Sequence, residues 1–267
     1  MKILDGKVLA EYIKERQAKE VRSLVQSKGV SPKLAIIQTI DDPVIDTYVR
    51  LKNKYGKDIG VEVETHRVDQ TEVRGLLEKL NADNTIHGII IQLPLEDSSQ
   101  TDELVNLVNR SKDVDALADE TDFDPATPVA ILWLLAGHNI DLKDKNVEII
   151  GRGKLVGRPL EKMLKNSRVN VHSVGKDTDD LASVTRAADV IITATGNPSL
   201  IHPEMIKKGA IVVDAGVATE TGKTVGDLAP SVYDRDDLTI TPTKGGVGPL
   251  TVCSLFENVI RSAKNIK

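Results

Sequence analysis

The segment Asn146–Pro159, NVEIIGRGKLVGRP, constrains the fold more than any other part of the chain. Val147 to Ile150 form a short β-branched run of the kind that builds a buried strand. The run stops at Gly151, and helix-like sequence resumes near Leu155. Gly151, Gly153 and Gly157 give G-x-G-x-x-x-G, one residue longer than the dinucleotide fingerprint. In that fingerprint the first glycine permits a tight turn, the second admits a pyrophosphate to the backbone, and the third lets helix pack on strand. Backbone N–H groups at a helix start, with the positive end of its dipole, suit phosphate. Because the spacing is longer by one residue, a glycine-rich turn that binds nothing is the plain alternative.

Neighbouring segments favour the cofactor reading. Val169–His172 reads as a second strand, about twenty residues on, where NAD-binding chains place an acid for the ribose hydroxyls. Here His172 and Ser173 stand there, with no carboxylate until Asp177. Without that acid, and with Arg152 in the glycine loop, a ribose bearing a phosphate is favoured, because the guanidinium fork donates two parallel hydrogen bonds. Residues 188–196 and 209–216 are two further apolar runs ending in glycine, as parallel strands buried on both faces do. The expected cofactor contacts are Gly151, Arg152, Gly153, Gly157, Ser173, Thr195 and Gly216, and the expected cofactor is NADP rather than NAD.

Upstream, residues 5–28 read as an amphipathic helix. Strand candidates at 34–38, 61–68 and 88–93 alternate with helices at 43–58 and 71–81. This β-α-β-α-β order implies a parallel sheet with right-handed crossovers. An acid-rich loop, 112–128, precedes an apolar helix at 129–136, and residues 249–267 form a final helix. The fold class is therefore α/β, with two lobes joined by helices and a cleft between them, a common place for a ligand. A catalytic domain at 1–120, completed by 249–267, and a Rossmann-like domain at 139–243 are expected.

Composition excludes several classes. The net charge of −5 and the lack of a long basic cluster disfavour nucleic acid as a partner. No segment has the apolar length of a membrane span, and the charged start of the chain is unlike a signal peptide. The single cysteine, Cys253, excludes an intramolecular disulfide and fits a reducing compartment, so a cytoplasmic location is expected. None of the five histidines is spaced for a metal site.

Five residues stand out for chemistry. Tyr48 and Lys52 lie four apart on an expected helix and so share a face. A lysine kept from water acquires a lowered pKa and moves protons near neutrality, although such a pair is more often a partly solvated helix face. Gln92 ends a strand where open α/β sheets bind ligands, with a capped strand end as the plain alternative. Asp113 and Asp115 open the acidic loop, where a carboxylate fits an amino-pyrimidine-like donor pair and a solvated charge run is the alternative. Residues 240–251, ITPTKGGVGPLT, form a second glycine-rich turn before a helix, either a close backbone approach to a ligand or a stiff hinge.

Together these segments resemble the bifunctional methylenetetrahydrofolate dehydrogenase/methenyltetrahydrofolate cyclohydrolase family. The resemblance is carried by Tyr48-Val-x-x-Lys52-x-Lys54, by residues 81–95, by Lys112-Asp-Val-Asp115, by Gly151-Arg-x-x-x-Val-Gly157-x-Pro159, by His172-Ser173 and by Gly245-Gly-Val-Gly-Pro-x-Thr251. It implies that Lys52 is the catalytic lysine of the cyclohydrolase step, oriented by Tyr48. It implies that Gln92 and Asp115 hold the pterin end of a tetrahydrofolate, with Gly246 and Pro249 also on the substrate, and that Arg152 and Ser173 take the cofactor's phosphate. A homodimer and a role in one-carbon metabolism and purine biosynthesis are implied in the same way.

The chain departs from the family pattern at several places. Ile45 stands for a usual serine, Ala126 for a cysteine, Gly153 for a serine, Thr243-Lys244 for Val-Pro and Ala218 for an asparagine. The segment 115–127 is several residues shorter, with Ala116 where a glycine is usual. Two alternatives therefore stay open: a dehydrogenase without efficient hydrolysis, or a cofactor-binding module without catalysis.

Overall fold

The computed structural model describes residues 1–220 and 223–265. In chain order its elements begin β1 (Lys2–Ile3), α1 (Lys7–Lys28), β2 (Lys33–Gln38), α2 (Pro43–Ile59), β3 (Glu62–Arg67), α3 (Val73–Ala82), β4 (Gly88–Ile91) and α4 (Thr101–Val105). They continue with α5 (Ala126–Gly137), β5 (Val147–Ile150), α6 (Gly157–Asn166), β6 (Val171–Val174), α7 (Leu181–Ala187), β7 (Val190–Thr193) and β8 (Ile211–Asp214). The last are β9 (Ala218–Glu220), β10 (Lys223–Val225), β11 (Thr239–Ile240) and α8 (Val247–Asn265).

The chain divides into two compact units. One takes Glu11–Ala126 and Val252–Lys267, the other Met1–Ala10 and Thr127–Thr251. The first is built on a three-stranded sheet, β3-β2-β4, with all pairings parallel. Strand residues alternate faces, and β2 shows both faces buried. Leu34 and Ile36 pack with Ile45 and Val49 of α2 and with Leu255, Phe256, Val259 and Ile260 of α8. Ala35 and Ile37 pack with Val73, Leu77 and Leu80 of α3. Asp42 caps α2 by accepting from the N–H groups of Val44 and Ile45, ahead of Pro43 at the first helical position.

The second unit contains a six-stranded sheet in the order β1-β11-β8-β7-β5-β6, with every named pairing parallel. From β5 the chain moves outward to β6, then returns to the other side of β5 at β7. That reversal is a topological switch point, where the carboxyl ends of strands diverge and open α/β sheets bind ligands. Ile150, Ile191, Val212 and Ile240 supply one buried face, packed with Ile201, Ile206, Leu228 and Val232.

The division differs from the expected boundaries at the N-terminus. Residues 1–10, assigned from sequence to the catalytic domain, fall in the dinucleotide unit, because Lys2–Ile3 pairs with β11 and extends that sheet. α8 starts at Val247 rather than 249, since a proline in the first turn removes only an N–H that has no helical partner. α5 starts at Ala126 for the same reason, with Pro128 in its first turn.

Candidate functional site

In the first unit, the sheet and α2 bring Lys52 and Gln92 together. Gln92 follows β4 directly, and its N–H donates to Ile37 O at 2.8 Å, which continues the ladder by one residue. Its side chain turns back to Lys52, whose Nζ donates to Gln92 Oε1 at 2.6 Å. Gln92 Nε2 donates to Leu93 O at 3.0 Å, fixing which end of the amide faces the lysine. Asp115 arrives on the other flank. Its segment runs beside β4, with Ile89 N–H donating to Lys112 O at 2.8 Å and an isolated parallel bridge from Ile89 to Asp113. Lys112, Asp113 and Val114 are buried, each with a structural task. Lys112 Nζ donates to the carbonyls of Leu80, Asn81 and Asp83, closing the end of α3. Val114 enters the core, and the Asp113 carboxylate accepts from the N–H groups of Leu117 and Ala118.

The electrostatics follow from this enclosure. Burial pushes the Lys52 ammonium below its ordinary pKa, and the charge of Asp115 opposes that shift. Burial raises the Asp115 carboxyl above the usual carboxylate range, with the Lys52 charge pulling it back. Tyr48 lies one turn before Lys52 on α2 and is 36% exposed, and burial of its ring holds the phenol above its ordinary value. The set thus combines a lysine biased toward its neutral, proton-accepting form, an amide acceptor and a carboxylate.

The departures near this site have packing explanations. Ile45 and Ala126 are both buried in the apolar cluster under α8, where a methyl-bearing side chain fills space. Ala116 adopts φ 56°, the left-handed region that glycine enters without strain. Asn258 of α8, which the sequence reading missed, donates to both Val114 O and Asp124 O at 2.9 Å and ties down the shortened loop. Only its burial marks it, and burial of an asparagine inside a helix is not visible in sequence.

In the second unit the glycine loop sits at the switch point. Gly151 has φ 117°, and a Cβ there would lie 2.6 Å from Ala194 O. A Cβ on Gly157 would lie 1.8 Å from Gly151 O, so α6 starts against the turn only because this residue is glycine. Gly153 differs: nothing lies within 4 Å of its hypothetical Cβ. That open side fits a phosphate-bearing ligand at the start of α6, but the protein itself does not require glycine there. Thr195 N–H donates to Asp227 Oδ2 at 2.7 Å, and Gly216 N–H to Asp214 Oδ1 at 2.9 Å. Both acids went unnoticed in the sequence. Asp227 is fully buried, its Oδ1 has no partner among the described residues, and a Cβ on Gly216 would lie 2.1 Å from that atom.

Arg152 and Ser173 meet at the end of β6. Arg152 Nε and Nη2 donate to Ser173 O at 3.0 and 2.7 Å. Ser173 is buried, whereas His172 beside it projects outward with its side chain 64% exposed. The cradle, the open side at Gly153 and the guanidinium beside Ser173 together fit a phosphorylated dinucleotide. Gly246 and Pro249 lie in this unit as well, Gly246 buried at the turn into α8 and Pro249 in its first turn. Gly6 packs closely on that turn and donates from its N–H to Gly245 O at 2.8 Å.

Comparison with known proteins identifies the family. The catalytic-domain model of tetrahydrofolate dehydrogenase/cyclohydrolase matches residues 4–115, and the NAD(P)-binding-domain model of the same family matches residues 125–267. The chain belongs to the tetrahydrofolate dehydrogenase/cyclohydrolase family. Among its relatives, the bifunctional protein FolD of Campylobacter jejuni (strain RM1221) is 39% identical over 280 residues, covering 99% of each chain. The crystal structure of the bifunctional FolD enzyme from Campylobacter jejuni superposes with a TM-score of 0.93 at 39% identity, covering 99% of each chain. The Trypanosoma brucei methylenetetrahydrofolate dehydrogenase-cyclohydrolase, solved with NADP cofactor and an inhibitor, gives 0.91 at 30% identity, covering 98% of this chain and 97% of that one. Family membership thus rests on matches in both units, and the shortened loop after Asp115 lies between the two matched segments.

Proposed function

We infer that the chain oxidises 5,10-methylenetetrahydrofolate to the methenyl form with NADP, and hydrolyses the methenyl form to 10-formyltetrahydrofolate. Both family models match, and solved relatives whose names carry both activities align over nearly the whole chain. The observation that carries the hydrolytic half is the 2.6 Å contact of Lys52 with Gln92, in surroundings that disfavour the charged lysine.

Lys52 acts as the proton acceptor. Water adds to the methenyl carbon, an electron-poor centre between two nitrogens, and the proton it sheds goes to neutral Lys52 Nζ. The resulting carbinol collapses as the bond from carbon to one nitrogen breaks; that nitrogen takes the hydroxyl proton, and the formyl group stays on the other. One proton is released overall. Gln92 holds the lysine in place before the reaction and gives it an acceptor for one of its hydrogens. Asp115 accepts from the amino-pyrimidine end of the pterin, and Tyr48 orients Lys52 from the preceding turn.

For the oxidation, bound NADP supplies the electron-pair acceptor. The chain's part is positioning, since proximity and orientation supply much of the rate. Gly151, Gly153 and Gly157 receive the pyrophosphate, Arg152, oriented by the Ser173 carbonyl, takes the phosphate-bearing ribose, and Thr195 and Gly216 border the rest of the cofactor. The product places the protein in one-carbon metabolism, as a supplier of formyl groups to purine biosynthesis. A homodimer in the cytoplasm is the state that the family resemblance and the lone buried Cys253 support. Among the described residues, no helix is long and apolar enough to cross a membrane.

The test supplies the purified chain with methylenetetrahydrofolate and NADP⁺ and measures reduced nicotinamide together with 10-formyltetrahydrofolate. Equal amounts of the two are expected. Failure to reduce either NADP⁺ or NAD⁺ would replace this reading with that of a cofactor-binding module.

A further inference from the structure

The side chain of Ser173 is already committed. Its Oγ–H donates to Glu161 Oε2 at 2.6 Å, and Glu161 also accepts from Lys165 Nζ at 2.6 Å, one turn further along α6. A serine hydroxyl has one proton and two lone pairs. With its proton on a carboxylate, Ser173 offers a ligand acceptor capacity only. A ribose 2′-hydroxyl can donate to it, whereas an ionised 2′-phosphate, rich in acceptors, finds no donor. Lys165 and Ser173 hold the Glu161 carboxyl below its ordinary range, which keeps it ionised.

Arg152 is engaged differently. Besides its bonds to Ser173 O, its Nη1 donates to both Asp177 oxygens at 3.1 and 3.0 Å. That pair is largely exposed, with 45% of the arginine and 73% of the aspartate side chain accessible, so an arriving phosphate displaces it at little cost. The Glu161 contact is better enclosed, with 21% of the glutamate side chain accessible, and is charge-assisted.

We propose that Glu161 sets the cofactor discrimination of this enzyme: by holding the Ser173 proton it withdraws the serine donor from the 2′-phosphate, and so lets NAD compete with NADP. The inference rests on the cofactor site described above. Glu161 is a positioning residue, acting through the serine.

Calorimetric titration of the full chain with NADP⁺ and NAD⁺ tests it in four forms: wild type, Glu161→Ala, Ser173→Ala and the double variant. Glu161→Ala frees the serine proton and tightens NADP⁺ binding roughly tenfold, the worth of a hydrogen bond to a charged group. NAD⁺ binding does not tighten, so the ratio of the two dissociation constants moves toward NADP. Ser173→Ala has little effect on NADP⁺ in the wild-type background and weakens it roughly tenfold once Glu161 is alanine, a non-additivity that bulk charge removal does not produce. An unchanged ratio in Glu161→Ala, or equal effects of Ser173→Ala in both backgrounds, overturns the proposal. Arg152→Ala separates the two levels. If it leaves NADP⁺ binding intact, the cofactor site itself is misplaced. If it weakens NADP⁺ while Glu161→Ala leaves the ratio alone, only the role of Glu161 falls.

Discussion

Lys52 Nζ donates to Gln92 Oε1 across 2.6 Å, joining a helix residue to the residue that follows a parallel strand forty positions later. The Gln92 amide carries no charge that neutralises the lysine. The amide therefore orients Lys52 without stabilising its protonated form as strongly as a carboxylate in the same place would. Asp115 supplies the opposing charge, and the balance between burial and that charge sets when Lys52 accepts a proton.

Replacing Asp115 by Asn tests that balance. Loss of the charge leaves burial unopposed, so the Lys52 pKa falls further and the neutral form persists to lower pH. Hydrolysis requires that form, so its rise with pH moves in the acid direction, measured at saturating methenyltetrahydrofolate. KM for the folate rises roughly tenfold with the lost acceptor. A profile that stays in place or moves to higher pH contradicts the coupling.

Gly157 and Gly153 are predicted to behave unlike each other. An added Cβ at 157 meets the Gly151 carbonyl, which cannot rotate away, so Gly157→Ala costs roughly 1–3 kcal/mol in urea denaturation and weakens NADP⁺ binding. Gly153→Ala adds a Cβ with no protein atom within 4 Å and stays within about 0.5 kcal/mol of wild type. Equal losses in the two variants would show that the loop is not held as described.

Asn258 anchors the loop that carries Asp115. Asn258→Leu keeps the bulk but leaves two carbonyls without a donor, for a loss of about 2 kcal/mol. The folate KM rises while the NADP⁺ dissociation constant stays put. A variant of unchanged stability would mean that water or another group serves those carbonyls equally well.

Ala116 is strained by its positive φ and only partly buried. Ala116→Gly relieves the strain and loses a methyl contact, for a net gain of about 0.5 kcal/mol, and Ala116→Val destabilises. Thermal denaturation of the pair checks the order glycine above alanine above valine.

How much of this was legible in the sequence follows from the range of the interactions. β2, β4, β5, β7 and β8 are short apolar runs bounded by turn residues, and a strand buried on both faces has to look that way. β1 and β11 are two residues each, too short for any periodicity, and exist because a neighbouring strand offers hydrogen bonds. The β9–β10 pairing likewise has no alternation long enough to read. Lys52 and Gln92 could be singled out from helix spacing and a strand end, whereas Asp115 was singled out from its neighbour Asp113 only by the family resemblance. Glu161, Asp214, Asp227 and Asn258 were not, since each acts on a partner brought near only by folding. The second glycine of the loop differs from the other two: no protein atom lies within 4 Å of a Cβ built at Gly153, which leaves that side open to a ligand phosphate.

The most direct test of the central claim is a time course of Lys52→Met with methylenetetrahydrofolate and NADP⁺, following reduced nicotinamide and the methenyl intermediate separately. The account predicts that reduction continues while methenyltetrahydrofolate accumulates and decays only at its spontaneous rate, in contrast to wild type, where none accumulates beyond that background. Removal of a general base costs on the order of 100-fold or more, well outside error. Hydrolysis at the wild-type rate in Lys52→Met would remove Lys52 from the mechanism.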